Sequence, residues 1–388
     1  MYFKNLPTMS QERVDAANDF LSKVGKVDSI FRDVSKRINP LMYDSDYLPY
    51  LLASKMTPER AKIILALPDT GWKESMGKHD VSDEFVASLD MDPDFVREQI
   101  KISHISGDIK WYAGKGPDII DDFALWGDLQ FHPDWVEKHG PGYYAVISIL
   151  LKEEFQPQME IGITYKRGKG NFSTSRTRII PRYDSVKDHP ELLDVENYKE
   201  VLKTRGTLYQ KPCYCRWFNE EYGQDSNVCM VSKDHEELFD SMGPGEFTPW
   251  EEVFEYVQQK GKEEPMVSIG KNTRNIEKID SDLCNCNMET CFIGQHTRVT
   301  GGQYKIWDYY AKTRFRATLD IETCADCGEC HESRCMFNAI QHKYYRDLGR
   351  HDIYVNEMQC MGCGCCVETC PSGALTMKLV DSTDTFND

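Results

Sequence analysis

The sequence predicts an α+β protein of three domains, on the evidence of its length, its helical periodicity and the position of its cysteines. With 388 residues, the chain is long enough for two or three domains that each bury their own core. Apolar residues recur at helical spacing over residues 10–37, whereas all 15 cysteines lie at or after Cys213. We therefore expect a helical N-terminal domain over residues 1–140, a central mixed α/β domain rich in cysteine over residues 141–312, and a C-terminal domain over residues 313–388.

Three helices and a hairpin are predicted after the helical lead-in. The helices are expected to begin at Thr57-Pro58, Ser82 and Asp92-Pro93, where a side chain can cap the first turn. A strand over residues 108–112 and a wing-like loop from Lys115 follow. Because helix, short helix, longer helix and β-wing in this order are typical of a winged helix, the N-terminal domain is expected to be winged-helix-like.

The longest of these helices is nearly balanced in charge, with Asp94 and Glu98 against Arg97 and Lys101. A helix that reads DNA normally carries more positive charge. We therefore expect this domain to serve packing or dimerisation rather than DNA binding.

Two cysteine runs near the C-terminus share one spacing, C-x2-C-x2-C followed by one more cysteine. The first run consists of Cys324, Cys327, Cys330 and Cys335, and the second of Cys360, Cys363, Cys366 and Cys370, which precedes Pro371. In two-cluster ferredoxins, the last cysteine of each run binds the cluster of the other run. The pattern predicts a bacterial two-[4Fe–4S] ferredoxin domain with crossed ligands. One cluster is assigned to Cys324, Cys327, Cys330 and Cys370, and the other to Cys360, Cys363, Cys366 and Cys335.

Zinc is the alternative at these runs, since C-x2-C pairs also form structural zinc sites. A zinc ribbon does not need triple runs that end in C-x3-C-P, so iron is expected here. Cys365 is an additional thiol inside the second run. It is expected to be either a spare ligand or a small buried residue.

A second set of six cysteines lies in the central part of the chain and contains two C-x-C pairs. Its members are Cys213, Cys215, Cys229, Cys284, Cys286 and Cys291. Six thiols exceed the four that a zinc ion or a [4Fe–4S] cluster needs, and a third Fe–S cluster, a zinc ion or a redox-active dithiol each fits. Arg216, beside the first pair, would lower the net charge of the site. A helix is expected from Thr248, with Thr248 as its cap and Pro249 in its first position.

Charge and composition narrow the functional classes. The formal net charge of -17 argues against general nucleic-acid binding, because phosphate neutralisation needs clustered Lys and Arg. One basic island stands out over residues 165–183, and we expect it to be a mobile, solvated hairpin rather than a grip for phosphate or an acidic partner. We expect neither a signal peptide nor a membrane span, and a reducing, cytoplasmic location in an anaerobe.

These segments together resemble the uncharacterised 4Fe–4S dicluster proteins of anaerobic bacteria and archaea. The resemblance covers most of the chain after about residue 45. It rests on residues 81–112, 126–131, 212–216 and 283–286 and on the two terminal cysteine runs. It implies a redox function and the combination of a winged-helix-like region, a C-x-C-R segment, a C-N-C segment and a ferredoxin module.

The expected function is electron transfer, by a subunit of an anaerobic oxidoreductase complex or by its electron donor. The sequence shows no glycine fingerprint for nucleotides and no flavin signature, so hydride chemistry is not expected. Two alternatives stay open. One is a redox-sensing winged-helix regulator, and the other is a reductase with its active site at the central cysteines.

Overall fold

The fold mixes helices and sheets in two compact units. A computed structural model of the chain describes residues 10–38, 45–67, 81–105, 109–112, 116–119, 133–150, 153–154, 177–211, 213, 215–216, 227–232, 245–271, 273–278, 283–291, 294–295, 297, 305–345, 350–381 and 386. One unit comprises residues 9–165 and 236–244, and the other comprises residues 1–8, 166–235 and 245–388. The domain boundaries expected near residues 140 and 312 stay predictions.

The described part of the first unit is mostly helical. Helices α1 to α7 span Gln11–Val24, Ser29–Ile38, Leu48–Lys55, Pro58–Ala66, Asp83–Ser88, Pro93–Ile105 and Pro133–Leu150. Strands β1 and β2, Ile109–Tyr112 and Gly116–Ile119, pair antiparallel as a hairpin. Helix α7 is kinked at Gly140, whose φ is 74°.

Side-chain caps explain where three of these helices begin. The hydroxyls of Thr57 and Ser82 accept hydrogen bonds from backbone N–H groups three residues later. The Asp92 carboxylate accepts from the N–H of Phe95 at 2.8 Å. Each cap satisfies an N–H that has no partner inside the helix. The small core between α4, α5 and α6 contains Ile63, Leu67, Val81, Val86, Val96 and Ile100.

A seven-stranded sheet dominates the second unit. Strands β3 to β9 span Thr177–Ile180, Thr207–Lys211, Cys229–Ser232, Glu246–Pro249, Val267–Lys271, Leu283–Cys286 and Tyr310–Ala311. Their order is β6-β4-β5-β8-β7-β3-β9, and only β3 and β9 pair parallel. Helices α8, α9 and α10 span Tyr183–Val186, Tyr198–Lys203 and Trp250–Glu263. Apolar side chains of α9 and α10 share one core with β4, β5 and β8.

The helix cap expected at Thr248 is wrong. Thr248 lies in β6, where it pairs with Leu208 of β4, and α10 begins only at Trp250 with Pro249 as its N-cap residue. Pairing with a neighbouring strand holds the Thr248 backbone extended, and the local capping pattern does not override it.

The last part of the second unit contains two antiparallel strand pairs. Strand β10 (Phe315–Leu319) pairs with β13 (Leu375–Leu379), and β11 (Ile340–Tyr345) pairs with β12 (Arg350–Val355). A short π-helical turn spans Cys330–Arg334, and helix α11 spans Cys365–Glu368. The loops before and after these elements carry the C-terminal cysteines.

For two members of the basic island, the expectation of a solvated hairpin is wrong. Arg178, in β3, and Arg182, just after it, are each only 1% exposed. The guanidinium carbon of Arg178 lies 3.6 Å from the ring centre of Phe386. Lys166, Arg167, Lys169 and Arg176, like the segment 126–131, lie outside the described residues. In the described part of the chain, no helix is long and apolar enough to cross a membrane.

Candidate metal centres

The C-terminal cysteines line two cavities. The outer cavity is lined by Cys324, Cys327, Cys330 and Cys370, and Cys366 also reaches its wall. The inner cavity is lined by Cys335, Cys360, Cys363 and Cys366. Each cavity thus gathers three cysteines of one run and the last cysteine of the other run. This is the grouping that crossed ligation predicts, while the binding of iron by these residues stays a prediction.

The two cavities differ in their access to solvent. Cys327 at the outer cavity is exposed, whereas Cys360, Cys363 and Cys366 at the inner cavity are buried. Solvent therefore reaches the outer set at Cys327, and three of the four inner cysteines lie within the protein.

The thiols of the outer cavity need positive charge before they can all ionise. Burial, followed by the negative charges of Cys327, Cys324 and Cys370, raises the pKa of Cys330 to about 11. In a [4Fe–4S] cluster, the iron ions supply this positive charge to the four thiolates. The donor set therefore fits an iron–sulfur cluster.

Backbone N–H groups also point at sulfur in both sets. The N–H of Asp326 donates to Cys324 Sγ at 3.4 Å, and the N–H of Ala339 donates to Cys335 Sγ at 3.2 Å. At Cys370 burial alone would raise the pKa, but the N–H of Leu375 and the Ser372 hydroxyl reverse that effect and lower it. Such N–H···S contacts stabilise thiolate and tune the potential of a bound cluster.

The six central cysteines come from the middle of the large sheet. Cys213 and Cys215 follow the end of β4, Cys229 begins β5, and Cys284 and Cys286 lie in β8, shortly before Cys291. Because β5 and β8 are neighbours, Cys229 lies directly opposite Cys284 in the ladder. The sheet topology therefore brings together segments that are some seventy residues apart in sequence.

The six thiols form a closed ring of side-chain contacts, which we call the thiol ring. Cys213 contacts Cys215 and Cys229, and Cys229 contacts Cys284. On the other side Cys215 contacts Cys291, and Cys286 contacts both Cys291 and Cys284. The hydrogen bonds from Cys215 and Cys229 lower the pKa of Cys213 well below its ordinary value. Their own pKa values rise well above it, because each donates to Cys213.

Two polar groups border the thiol ring. Arg216 donates its backbone N–H to Cys213, and its guanidinium pairs with Glu264 at 2.7 Å. The phenol oxygen of Tyr310 lies 3.9 Å from Cys291 Sγ. Burial, and then the charges of Cys291 and Cys286, raise the pKa of Tyr310 well above its ordinary value. The position of Arg216 beside the thiols agrees with the sequence, whereas no sequence signal pointed to Tyr310.

Asn285 fixes the strand that carries two of these thiols. It lies between Cys284 and Cys286, so its side chain points to the opposite face of the sheet. Its amide oxygen accepts from Tyr198 Oη at 3.0 Å and from Ser268 Oγ at 2.7 Å, and the residue is fully buried. This network holds β8 in register and so orients both cysteines toward the ring.

The thiol ring and the inner cavity share one apolar core. Cys286 and Cys291 of the ring pack in the same cluster as Met361 and Cys363 of the inner cavity. The backbone N–H of Met288 also donates to Met336 Sδ at 3.2 Å. Protein groups in van der Waals contact therefore fill the space between the two sets of cysteines.

Cys365 belongs to neither cavity nor the ring. Its Sγ donates to the carbonyl oxygen of Met266 at 3.1 Å, and the residue is buried. Its thiol also contacts that of Cys363, which lines the inner cavity. Because Cys365 itself lines neither cavity, its position favours the small buried residue over the spare ligand.

Comparison with known proteins identifies one part of the chain. Residues 323–374 match the family described as 4Fe-4S dicluster domain. The prediction of a ferredoxin-type iron–sulfur domain in this region is thereby confirmed. No curated protein and no solved structure matches the chain.

Proposed function

We propose that the protein is an electron carrier with two [4Fe–4S] clusters in its C-terminal domain, and that it acts as a subunit of an oxidoreductase complex or as its electron donor. The observation that carries this proposal is the pair of cavities, each of which gathers three cysteines of one run and the last cysteine of the other. A bound [4Fe–4S] cluster exchanges one electron at a time with a redox partner.

The residues have distinct tasks in this proposal. Cys324, Cys327, Cys330 and Cys370 would hold the cluster of the outer cavity, and Cys335, Cys360, Cys363 and Cys366 that of the inner cavity. The exposed Cys327 marks the side on which a partner protein exchanges electrons. Burial of the inner cysteines keeps water and oxidants away from the second site.

Iron analysis of matched variants tests the proposal. Anaerobically purified protein should hold at least about eight irons and eight acid-labile sulfides per chain, four for each cluster. Cys363→Ala should lower the iron content, because Cys363 lines the inner cavity, whereas Lys187→Met, which removes only an exposed ion pair with Asp184, should leave it unchanged. Fully loaded protein with about four irons or fewer would reject the pair of clusters.

For the N-terminal unit we propose a winged-helix-like domain that packs against another protein or a second copy of the chain. The order of α4, α5, α6 and the β1–β2 hairpin supports this arrangement. The charge of Arg97 is used within the unit, since its guanidinium donates to the Val81 carbonyl at 2.9 Å and pairs with Asp83. This use of the charge favours packing over DNA binding.

A further inference from the structure

We infer that the thiol ring is a third metal centre of this protein, a site for an iron–sulfur cluster that exchanges electrons with the inner cavity of the C-terminal domain. The site itself stands on its own geometry. Its role as an electron acceptor rests on the proposed function of the C-terminal domain.

The first argument is convergence. The six cysteines come from the end of β4, the start of β5, and β8 with the turn after it, and they meet in one ring. Every cysteine of the described chain except Cys365 thus lies in the ring or lines one of the two cavities. Packing alone does not require six thiols at one place, since any small apolar residue can fill a core position.

The second argument is the local backbone. In β8, alternation places Cys284 and Cys286 on one face, and the buried Asn285 locks the strand from the other face. A buried polar network that orients neighbouring ligands is typical of the outer shell of metal sites. The N–H of Arg216 points at Cys213, and its guanidinium supplies positive charge near the ring.

The third argument distinguishes a cluster from a zinc ion. Zinc has no redox chemistry in proteins, so a zinc ion at the ring would be structural only. The ring packs in one core with Met361 and Cys363 of the inner cavity, where a redox-active cluster could exchange electrons with a neighbouring cluster. This position favours a cluster over zinc.

The fourth argument concerns electronic contact. The ring and the inner cavity share the apolar core around Met361, Cys363, Cys286 and Cys291. A redox partner at the outer cavity would supply one electron, which would pass through the outer site to the inner site. The inner site would then give up this electron, and so be oxidised, while the site at the ring is reduced by one electron. The chain would then carry electrons from the exposed Cys327 inward to the ring.

Metal analysis of ring variants in the full chain tests the inference. The double change Cys284→Ser and Cys286→Ser should remove about four irons per chain and leave about eight. Lys187→Met, which removes only an exposed ion pair with Asp184, should keep the full iron content. The single change Cys215→Ser leaves β8 unaltered, because Cys215 lies outside the sheet. It should also lower the iron content if the ring binds a cluster.

Paramagnetic resonance of the reduced protein gives a second readout. We expect an additional signal, or broadening from coupled clusters, in the parent protein, and its loss in the ring variants with the C-terminal signals retained. Loss of about one zinc ion with unchanged iron would overturn the inference, and so would unchanged metal content. If the ring variants show either of these two results and still hold about eight irons per chain, the proposed function of the C-terminal domain stands. Absence of iron from the C-terminal cysteines would instead reject that function, whatever the ring binds.

Discussion

Arg182 and Glu368 form a buried, two-pronged ion pair between the large sheet and the helix of the second cysteine run. The two N···O distances are 2.7 Å and 3.1 Å, and each side chain is 1% exposed. Two further guanidinium N–H groups donate to the carbonyls of Val257 and Gln258, and the Arg182 backbone N–H donates to the Cys363 carbonyl at 2.8 Å. Burial alone would lower the pKa of Arg182, but the hydrogen bonds and charge of Glu368 raise it. The pair thus joins the sheet to the loop that carries the inner cysteines.

The first prediction follows from this pair. Glu368→Gln should destabilise the protein by about 3–5 kcal/mol, because it leaves a buried guanidinium without its counter-charge. The check is the urea concentration at which half of the visible cluster absorbance is lost under anaerobic conditions. Lys187→Met, which removes an exposed pair with Asp184, is the control and should leave this midpoint unchanged. Equal midpoints for both variants would contradict the role of the buried pair.

A second prediction compares two glycines of the second cysteine run. Gly362 and Gly373 have nearly the same left-handed backbone, with φ of 72° and 67°. Alanine at either position costs about 1–2 kcal/mol of backbone strain. At Gly362 an added Cβ would also overlap the Thr313 hydroxyl and the Phe315 carbonyl oxygen, whereas at Gly373 it meets open space.

Gly362→Ala should therefore lose iron from the inner cavity and unfold at a lower temperature than Gly373→Ala. Thermal unfolding and iron content of the two purified variants measure the difference. Both variants carry the same backbone strain. Equal losses of iron and of thermal stability in the two variants would therefore show that the close contacts around Gly362 have no effect.

The third prediction tests crossed ligation. Cys370→Ala should change the resonance signal that Cys324→Ala changes, because both residues line the outer cavity. Cys335→Ala should change the signal that Cys360→Ala changes, because both line the inner cavity. If instead Cys370→Ala alters the same signal as Cys363→Ala, ligation within each run would be the correct arrangement.

The fourth prediction concerns nucleic acid. We expect no specific DNA binding at physiological salt, because Arg97 of α6 pairs with Asp83 of α5 and the whole chain is strongly acidic. Gel-shift measurements with genomic fragments and competitor DNA check this. A footprint at nanomolar concentration that resists the competitor would favour the regulator alternative.

Cysteine spacing predicted more of the candidate sites than any other feature of the sequence. The spacing of the two runs predicts which cysteines line each cavity, since three ligands lie on one short loop and the fourth comes from the second half of a repeated pattern. The two C-x-C pairs predict a single central metal site, which stays a prediction, although the six thiols do contact one another. In these cases the chemistry is encoded in residues close together in the chain.

Long-range partners account for what the sequence did not predict. Arg178 and Arg182 belong to a basic stretch that suggests solvent exposure, yet the partner that allows burial of Arg182 is 186 residues away. Arg314 also depends on a partner that is distant in sequence, since it pairs with Glu196 at 2.7 Å and both side chains are buried. Tyr310 reaches the thiol ring only because β9 pairs with β3 at the edge of the sheet. No local pattern of charge or hydrophobicity carries that information.

The crossed grouping of the C-terminal cysteines also bears on how the protein is made. Under this grouping, the outer site lacks a ligand until Cys370 has left the ribosome, and the inner site lacks one until Cys366 has. Neither site can be completed on a nascent chain that ends before these residues, although six of the eight cysteines have been synthesised by then. Iron and sulfide can therefore complete the inner site only after Cys366 has been made, and the outer site only after Cys370, so both clusters depend on the second cysteine run for their assembly.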